Sequence, residues 1–205
     1  MSYYFDKNTD VKSKEITTKA EIDGKYYIFK TDNNVFSKKG LDFGTRALLE
    51  NLPLDKIGGN VLDFGCGYGP VGIFVKSNTE ALVDMIDINE RALNLARTNA
   101  KLNNVDVRIF ESDIYANVDK KYDYIISNPP IRVGKEILYK ILFGAKEYLK
   151  VQGELWIVVN KDQGAKTVVR DLEKEYEVTV VAKNKGFYII CARNNWQFEV
   201  FTVKL

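Results

Sequence analysis

A glycine-rich segment in the first half of the chain has the residue types needed to bind a ligand through its backbone. It reads Asp63-Phe64-Gly65-Cys66-Gly67-Tyr68-Gly69 and follows the apolar pair Val61-Leu62. Glycine lacks a Cβ atom and adopts left-handed backbone conformations at little cost, so a ligand can approach such a turn closely. The segment predicts a binding loop between a strand and a helix. The alternative is that the glycines serve only a tight turn.

This loop does not match the two common phosphate-binding motifs. A dinucleotide fingerprint needs glycine at positions 65, 67 and 70, but residue 70 is Pro, and no stretch of the chain fits GxxxxGK[ST]. A pyrophosphate beside Asp63 would meet like charge, whereas a cationic sulfonium or ammonium would not. The loop therefore favours S-adenosylmethionine over a nicotinamide dinucleotide.

Two further polar positions follow later apolar runs. Asp87 ends the run Ala81–Ile86 and could accept two hydrogen bonds from a ribose diol. Ser112-Asp113-Ile114 follows the next run, so Asp113 could accept from an adenine amine while Ile114 covers the ring. Because the carboxyl ends of parallel strands meet at one sheet edge, we expect these residues to line one crevice.

The tetrapeptide Asn128-Pro129-Pro130-Ile131 follows the apolar run Tyr122–Ser127. Its prolines fix the backbone and remove two N–H donors, so the loop presents carbonyl acceptors together with the Asn128 side-chain amide. An sp² amine that donates to the Asn128 oxygen and to a backbone carbonyl would have its lone pair free to attack a methyl group. The alternative is a rigid turn that ends a strand. The pattern predicts transfer by positioning and electrostatics without a strong base.

These motifs resemble those of known methyltransferases. The glycine loop resembles the cofactor loop of Rossmann-like methyltransferases, and Asn-Pro-Pro-x resembles the active-site motif of enzymes that methylate amino groups of nucleic-acid bases or glutamine side chains. Residues 128–135, together with 35–37 and 40–45, are similar to the bacterial small-subunit ribosomal RNA guanine-N2 methyltransferases in their short, single-domain form, over roughly residues 1–193.

The resemblance implies a set of functional residues. The implied catalytic residues are Asn128, Pro129, Pro130 and Ile131. The implied S-adenosylmethionine-binding residues are Asp63, Gly65, Cys66, Gly67, Asp87, Ile88, Asp113, Ile114 and Asn128. The implied substrate-binding residues are Phe36, Arg132 and Lys135, with the segment 35–45 covering the cofactor side. The implied partner is ribosomal RNA or the small ribosomal subunit.

Several of these assignments have alternatives. Adenine- and glutamine-directed relatives usually carry an aromatic residue where this chain has Ile131, which favours guanine. Methylation of glutamine N5 in a protein, and a non-catalytic RNA-binding or ribosome-assembly module, remain open. Phe36 could be a packing residue, and Arg132 and Lys135 ordinary exposed charges. Cys66 has no visible activating partner, so we expect a packed thiol rather than a nucleophile.

Composition excludes several classes of chemistry. The 205 residues include no His, which removes His-based acid–base catalysis, Ser-His-Asp systems and the common zinc sites, and we expect no metal. The two Cys, without a CxxC pair, and the lack of a long apolar run predict a reduced cytoplasmic protein without a membrane anchor. Net charge is +2, yet residues 131–170 hold eight basic and four acidic side chains, which suits a phosphate-bearing partner or a solvated helix face.

The remaining pattern predicts an α/β fold of the Rossmann-like type. Two β-prone runs flank Asp23-Gly24, and after a short helix capped by Asp42 the apolar runs and helical stripes alternate from residue 60. We expect helices at 42–52, 70–77, 89–102 and 137–149, strands at 60–64, 81–86, 105–110, 122–127 and 154–159, and an antiparallel pair at 177–182 and 187–192. This alternation predicts a mostly parallel seven-stranded sheet with an antiparallel C-terminal hairpin.

The chain is expected to form one methyltransferase domain over residues 1–205. We divide it into an N-terminal hairpin extension at 1–35, a catalytic core at 36–193 and a tail at 194–205. The tail alternates in polarity and predicts an edge strand in which Trp196 and Phe198 pack on the sheet or stack on RNA bases.

Overall fold

A β-hairpin precedes the main sheet, as the Asp23-Gly24 dipeptide predicts. The computed structural model describes residues 15–32, 41–130 and 134–195. Strands β1 (Ile16–Ile22) and β2 (Lys25–Thr31) pair antiparallel. Asp23 has φ 49° and Gly24 φ 73°, both in the left-handed region that the tightest hairpin turns require. The local turn chemistry therefore sets the register of this hairpin.

Helices and strands then alternate along the chain and build one seven-stranded sheet. The elements are α1 (Phe43–Leu49), β3 (Asn60–Phe64), α2 (Pro70–Asn78), β4 (Leu82–Asp87), α3 (Glu90–Leu102), β5 (Arg108–Glu111), β6 (Tyr122–Ser127), α4 (Lys135–Tyr148), β7 (Leu149–Asn160), α5 (Ala165–Leu172), β8 (Glu177–Asn184) and β9 (Phe187–Arg193). The order is β5-β4-β3-β6-β7-β9-β8, and β9 runs antiparallel to both of its neighbours. The predicted Rossmann-like fold class is confirmed.

The strand order places a switch point between β3 and β6. From β3 the chain moves outward through β4 to β5, then returns to the other side of β3 with β6 and β7. The loops that leave the carboxyl ends of β3 and β6 consequently diverge, and such a divergence leaves a crevice where ligands bind in open α/β sheets. Both motifs singled out in the sequence lie on these two loops.

The two faces of the sheet carry separate apolar cores. The hairpin, α1, α2 and α3 cover one face, with Phe29, Leu48 and Phe74 almost fully buried. Helices α4 and α5 cover the other face around Tyr122 and Leu142. Truncating a buried aromatic residue such as Phe29 to Ala typically costs ~3–5 kcal/mol, so the hairpin is an integral part of its core.

Two side-chain amides at the carboxyl end of α3, those of Asn99 and the C-cap Asn103, also hold the hairpin. Asn99 accepts from the Lys30 N–H at 2.7 Å and donates to the Lys30 carbonyl at 2.9 Å, and Asn103 forms the same pair with Ile28 at 3.1 and 2.8 Å. The two amides thus substitute for a neighbouring strand along β2. Asn99 also donates to the Tyr68 carbonyl at 2.8 Å, which ties the hairpin to the glycine loop.

Several element boundaries differ from the sequence-based expectation. Strand β5 begins at Arg108 rather than Val105, and α4 ends at Tyr148, where β7 begins at once. Gly153, which lies between the predicted helix at 137–149 and the predicted strand at 154–159, is therefore part of β7. Helix α5 was not predicted, although Ala165, Val168 and Leu172 have helical spacing and are buried. Of the predicted tail at 194–205, residues 196–205, with Trp196 and Phe198, lie outside the described residues.

One further property follows from helix length. Within the described ranges, no helix is long and apolar enough to cross a membrane.

Candidate active site

The glycine loop after β3 has two kinds of glycine. Gly65, Gly67 and Gly69 all have left-handed φ values, of 67°, 56° and 96°. A Cβ atom at Gly65 or Gly67 would meet nothing within 4 Å, whereas one at Gly69 would lie 2.8 Å from Met85 Cε. The first two glycines therefore border open space in the crevice, and the third lets the loop pack on β4.

Close packing of α2 on the sheet depends on a glycine that the sequence analysis did not single out. A Cβ atom at Gly72 would lie 2.6 Å from Met85 Cγ and 3.1 Å from an Asp63 oxygen. Pro70 begins α2, where its missing N–H breaks no helical hydrogen bond. In the dinucleotide fingerprint a glycine at position 70 would allow close packing of the helix on the strand. In this chain Gly69 and Gly72 together allow that contact.

Asp63 lies beneath the loop. The residue is 1% exposed, and its Oδ2 accepts a hydrogen bond from the Gly72 N–H at 2.8 Å. Burial raises the pKa of Asp63 to about 7, an effect that the Gly72 hydrogen bond opposes and the charge of Asp87 reinforces. The carboxyl group thus holds the start of α2, and its direct action on a cationic ligand stays a prediction.

Asp87 connects the end of β4 to the glycine loop. One carboxylate oxygen accepts from the Gly67 N–H and the other from the Asn89 N–H, both at 2.9 Å. Burial raises the pKa of Asp87, while these backbone hydrogen bonds favour the ionised form. Each oxygen keeps a second lone pair, so the predicted contact with a ribose diol is compatible with this arrangement. Ile88, the next residue, is half-buried.

The loop after β5 reaches the same edge of the sheet. The Ser112 N–H donates to the Asp87 carbonyl at 3.0 Å, and the buried Ser112 hydroxyl donates to the Ile114 carbonyl at 3.0 Å. Ile114 has φ 51°, an uncommon conformation for a β-branched residue, and Asp113 beside it is exposed. Such local strain clusters at functional sites because the surroundings must hold it in place.

The loop after β6 is joined to the glycine loop by a buried hydrogen bond. The Ser127 hydroxyl donates to the Phe64 carbonyl at 2.8 Å, so the carboxyl ends of β3 and β6 are fixed relative to each other. Pro129 is buried and Pro130 is half-buried. Asn128 therefore starts from a well-anchored backbone position at the switch point.

The Asn128 side chain is oriented by the start of α1. Its amide nitrogen donates to Thr45 Oγ1 at 2.9 Å and contacts Asp42 Oδ1 at 3.4 Å. Asp42 is also the N-cap of α1, where it accepts from the Thr45 N–H at 3.0 Å. The side-chain amide oxygen of Asn128 accepts no hydrogen bond from the described residues. This oxygen is therefore available to accept a hydrogen bond from a ligand.

The remaining predicted site residues have different outcomes. Cys66 is buried, and burial raises the pKa of its thiol well above the ordinary value, which fits a packed residue rather than a nucleophile. Lys135 begins α4, exposed, with its ammonium 4.9 Å from the centroid of the Tyr139 ring. The predicted roles of Phe36, Ile131 and Arg132 lie outside the described residues.

The contact of Thr45 with Asn128 was missed by sequence reasoning. Asp42 was predicted only as a helix cap, and Thr45 only as part of a segment that resembles known relatives. Because Thr45 and Asn128 are 83 positions apart in the chain, no local pattern indicates that they touch.

Comparison with known proteins connects these features to a family. The family description Methyltransferase small domain matches residues 26–191. The Bacillus subtilis (strain 168) protein named Uncharacterized protein YbxB is 42% identical over 93% of this chain and 98% of its own length. The chain belongs to the methyltransferase small-domain family.

Relatives with a named activity match this methyltransferase domain over part of their length. Ribosomal RNA small subunit methyltransferase C of Vibrio vulnificus (strain CMCP6) is 43% identical over 62% of this chain and 38% of the relative, and that of Haemophilus influenzae (strain ATCC 51907 / DSM 11121 / KW20 / Rd) is 35% identical over 78% and 49%. The chain thus spans less than half of these relatives. The predicted resemblance to small-subunit ribosomal RNA methyltransferases is confirmed.

A solved structure has the same fold. The T. thermophilus 16S rRNA N2 G1207 methyltransferase, in complex with AdoMet and guanosine, superposes with a TM-score of 0.79 at 22% identity, over 88% of this chain and 51% of that one. At this identity the likeness concerns the fold of the methyltransferase domain.

Proposed function

We propose that the chain transfers a methyl group from S-adenosylmethionine to the exocyclic N2 amine of a guanine in small-subunit ribosomal RNA. The observation that carries this proposal is the orientation of the Asn128 amide, whose nitrogen is held by Thr45 and Asp42 while its oxygen is available at the switch point. Relatives that act on small-subunit ribosomal RNA support the substrate class.

The residues at the crevice fit the cofactor. Gly65 and Gly67 leave open space where side chains would otherwise lie, and Asp87 presents a buried carboxylate at the end of the adjacent strand. We expect Gly65, Gly67, Asp87, Ile88, Asp113 and Ile114 to hold the nucleoside part. When bound, S-adenosylmethionine supplies an electrophilic methyl group.

Asn128 and Pro129 would position the amine. Its two hydrogens would be donated to the Asn128 side-chain oxygen and to a backbone carbonyl in the Asn128–Pro129 region, which turns the nitrogen lone pair towards the methyl carbon. The new N–C bond forms as the C–S bond breaks, and the product amine releases one proton to solvent. Holding the amine in this geometry is how the residues would lower the barrier.

The test is product analysis with unmethylated small subunits and S-adenosylmethionine. We expect N2-methylguanosine after nuclease digestion and mass spectrometry. Asn128→Ala should lower the rate by about 100-fold or more while cofactor affinity, measured by calorimetry, is retained. Asn94→Ala, at an exposed position of α3, is the matched control and should keep the wild-type rate.

The outcomes separate the alternatives. Methylglutamine in a protein substrate would favour the glutamine-directed activity, which Ile131 counts against. Cofactor binding without any product would favour a non-catalytic module. An Asn128→Ala protein with undiminished activity would remove the tetrapeptide from the mechanism.

A further inference from the structure

Four of the eight basic side chains in residues 131–170 have carboxylate partners within the described part of the chain. Lys140 pairs with Glu136, Lys146 with Glu175 and Lys150 with Asp123, at 2.8–2.9 Å. Arg170 contacts Asp171 at 3.5 Å. Charges neutralised in this way attract a polyanion weakly, so the excess in residues 131–170 does not by itself mark a binding surface.

Three lysines at one corner of the sheet are exposed, and none of them forms an ion pair with the described residues. They are Lys161, which follows β7, Lys183, near the end of β8, and Lys185, in the turn between β8 and β9. We name these three residues the turn cluster. The Lys161 N–H donates to the Gly186 carbonyl at 2.7 Å, and a Cβ atom at Gly186 would lie 3.4 Å from Lys161 Cε. The three side chains therefore arise from one compact corner of the sheet.

The geometry of this corner is stiff. Lys185 and Gly186 have φ 45° and 85°, which form a tight turn, and Asn184 pairs with Phe187 directly across it. The Lys183 ammonium lies 4.9 Å from the centroid of the Tyr188 ring. Asp162 is the acidic side chain next to Lys161 in sequence, so the cluster keeps a net positive charge.

A chain of contacts joins the turn cluster to the candidate active site. The Lys185 ammonium lies 4.9 Å from the centroid of the Phe43 ring, and Phe43 packs against Phe187 with ring centroids 5.6 Å apart. Phe43 directly follows Asp42, whose carboxylate contacts the Asn128 amide. In addition β7 runs parallel to β6, so Lys161 leaves the sheet at the same edge as Asn128.

We propose that Lys161, Lys183 and Lys185 bind the phosphate backbone of the RNA that presents its guanine to Asn128. Exposed ammonium groups beside an active site attract phosphates without reading sequence, and they fix the orientation of the strand. This inference rests on the proposed function for the identity of the substrate. Of these three lysines only Lys161 lies in residues 131–170, the range whose positive excess the sequence analysis connected with a phosphate-bearing partner.

The test compares two triple variants. The first variant, called the cluster variant, carries Lys161→Gln, Lys183→Gln and Lys185→Asn and removes the turn cluster. Asn is chosen at position 185 because it tolerates the left-handed backbone conformation. The control variant carries Lys140→Gln, Lys146→Gln and Lys174→Gln, since each of these lysines has a carboxylate partner. The KM for the small subunit and the dissociation constant for a small-subunit RNA fragment are measured from 50 to 200 mM salt.

We expect the KM and the dissociation constant of the cluster variant to be roughly tenfold higher than those of the wild type. The slope of log affinity against log salt concentration should be smaller in magnitude by about 2. Cofactor affinity should be retained, and the control variant should behave as the wild type does. Wild-type RNA affinity and salt slope in the cluster variant would overturn the inference. So would a variant that binds RNA normally but loses binding to phosphatidylglycerol vesicles, because the surface would then serve a membrane.

Failure of the inference and failure of the proposed function give different results. A wild-type protein that produces no methylguanosine contradicts the proposed function, whatever the lysines do. A wild-type protein that does produce it, together with an unchanged cluster variant, contradicts only the inference.

Discussion

The Thr45 hydroxyl oxygen accepts a hydrogen bond from the Asn128 side-chain amide at 2.9 Å. The hydroxyl proton of Thr45 is donated to Asp42 Oδ2 at 2.5 Å, and the Asp42 carboxylate can only accept. A rotation of the Asn128 amide by 180° would therefore turn its carbonyl oxygen towards two acceptors. The cap of α1 determines which end of the Asn128 amide faces the crevice.

We predict that Thr45→Val lowers kcat about tenfold, because the isosteric side chain cannot accept from Asn128 and a net hydrogen bond contributes ~1 kcal/mol or somewhat more. Cofactor affinity should remain unchanged, since Thr45 acts through Asn128 and not on the nucleoside. Steady-state kinetics with small subunits and calorimetry with S-adenosylmethionine provide the two measurements.

The conservative variant separates positioning from folding. Thr45→Ser keeps the hydroxyl group, so its kcat should stay close to that of the wild type. Asp42→Asn retains capping ability, as Asn and Asp are similarly good N-caps, so its thermal stability should stay close to that of the wild type. If Thr45→Val were as active as Thr45→Ser, the orientation of Asn128 would not depend on this contact.

The second prediction concerns the buried carboxyl group of Asp63. Burial raises the pKa of Asp63 in the folded protein to about 7 from an ordinary value of 3.8. Between these two values the folded state binds a proton that the unfolded state lacks, so this group's contribution to stability is complete below pH ~4 and is lost as pH rises through 7.

Asp63→Asn should reduce the dependence of the unfolding free energy on pH. The amide oxygen can still accept from Gly72, but it does not titrate, so the variant lacks a decline in unfolding free energy that reaches up to ~1.4 kcal/mol per pH unit. Urea denaturation at several pH values from 5 to 8 measures both proteins. Parallel curves for wild type and variant would show that Asp63 ionises in the folded state as it does in water.

The third prediction compares two glycines with the same backbone requirement. Gly67 in the loop and Gly24 at the hairpin turn have φ 56° and 73°, and a Cβ atom at either position would meet nothing within 4 Å. Gly67→Ala and Gly24→Ala should each cost ~1–2 kcal/mol of stability, because an L residue is strained in this conformation.

Only Gly67→Ala should weaken cofactor binding, by about tenfold or more, because the added methyl group enters the crevice next to the Asp87 carboxylate. Calorimetric titration with S-adenosylmethionine and with its demethylated product checks this difference. Equal cofactor affinities in the two variants would mean that the open space at Gly67 does not border the cofactor.

Local signals predicted much of this molecule from residues that are neighbours in sequence. Asp23-Gly24 specified the hairpin turn, Asp42 the cap of α1, and the alternation of apolar runs and helical stripes the class of fold. The glycine loop and Asn128 could be predicted as site residues because turn geometry and proline chemistry are properties of short segments.

The tertiary structure decided what these segments meet. The reversal of strand order between β3 and β6 brings Asn128 next to the glycine loop, and the packing of α1 brings Thr45 to an amide 83 positions away. Two further contacts also join distant segments of the chain. Gly72 packs on Met85, and Lys161 packs on the turn at Gly186. Backbone preferences act over a few residues, whereas the partner of a side chain depends on how helices and strands pack, which no short window of sequence contains.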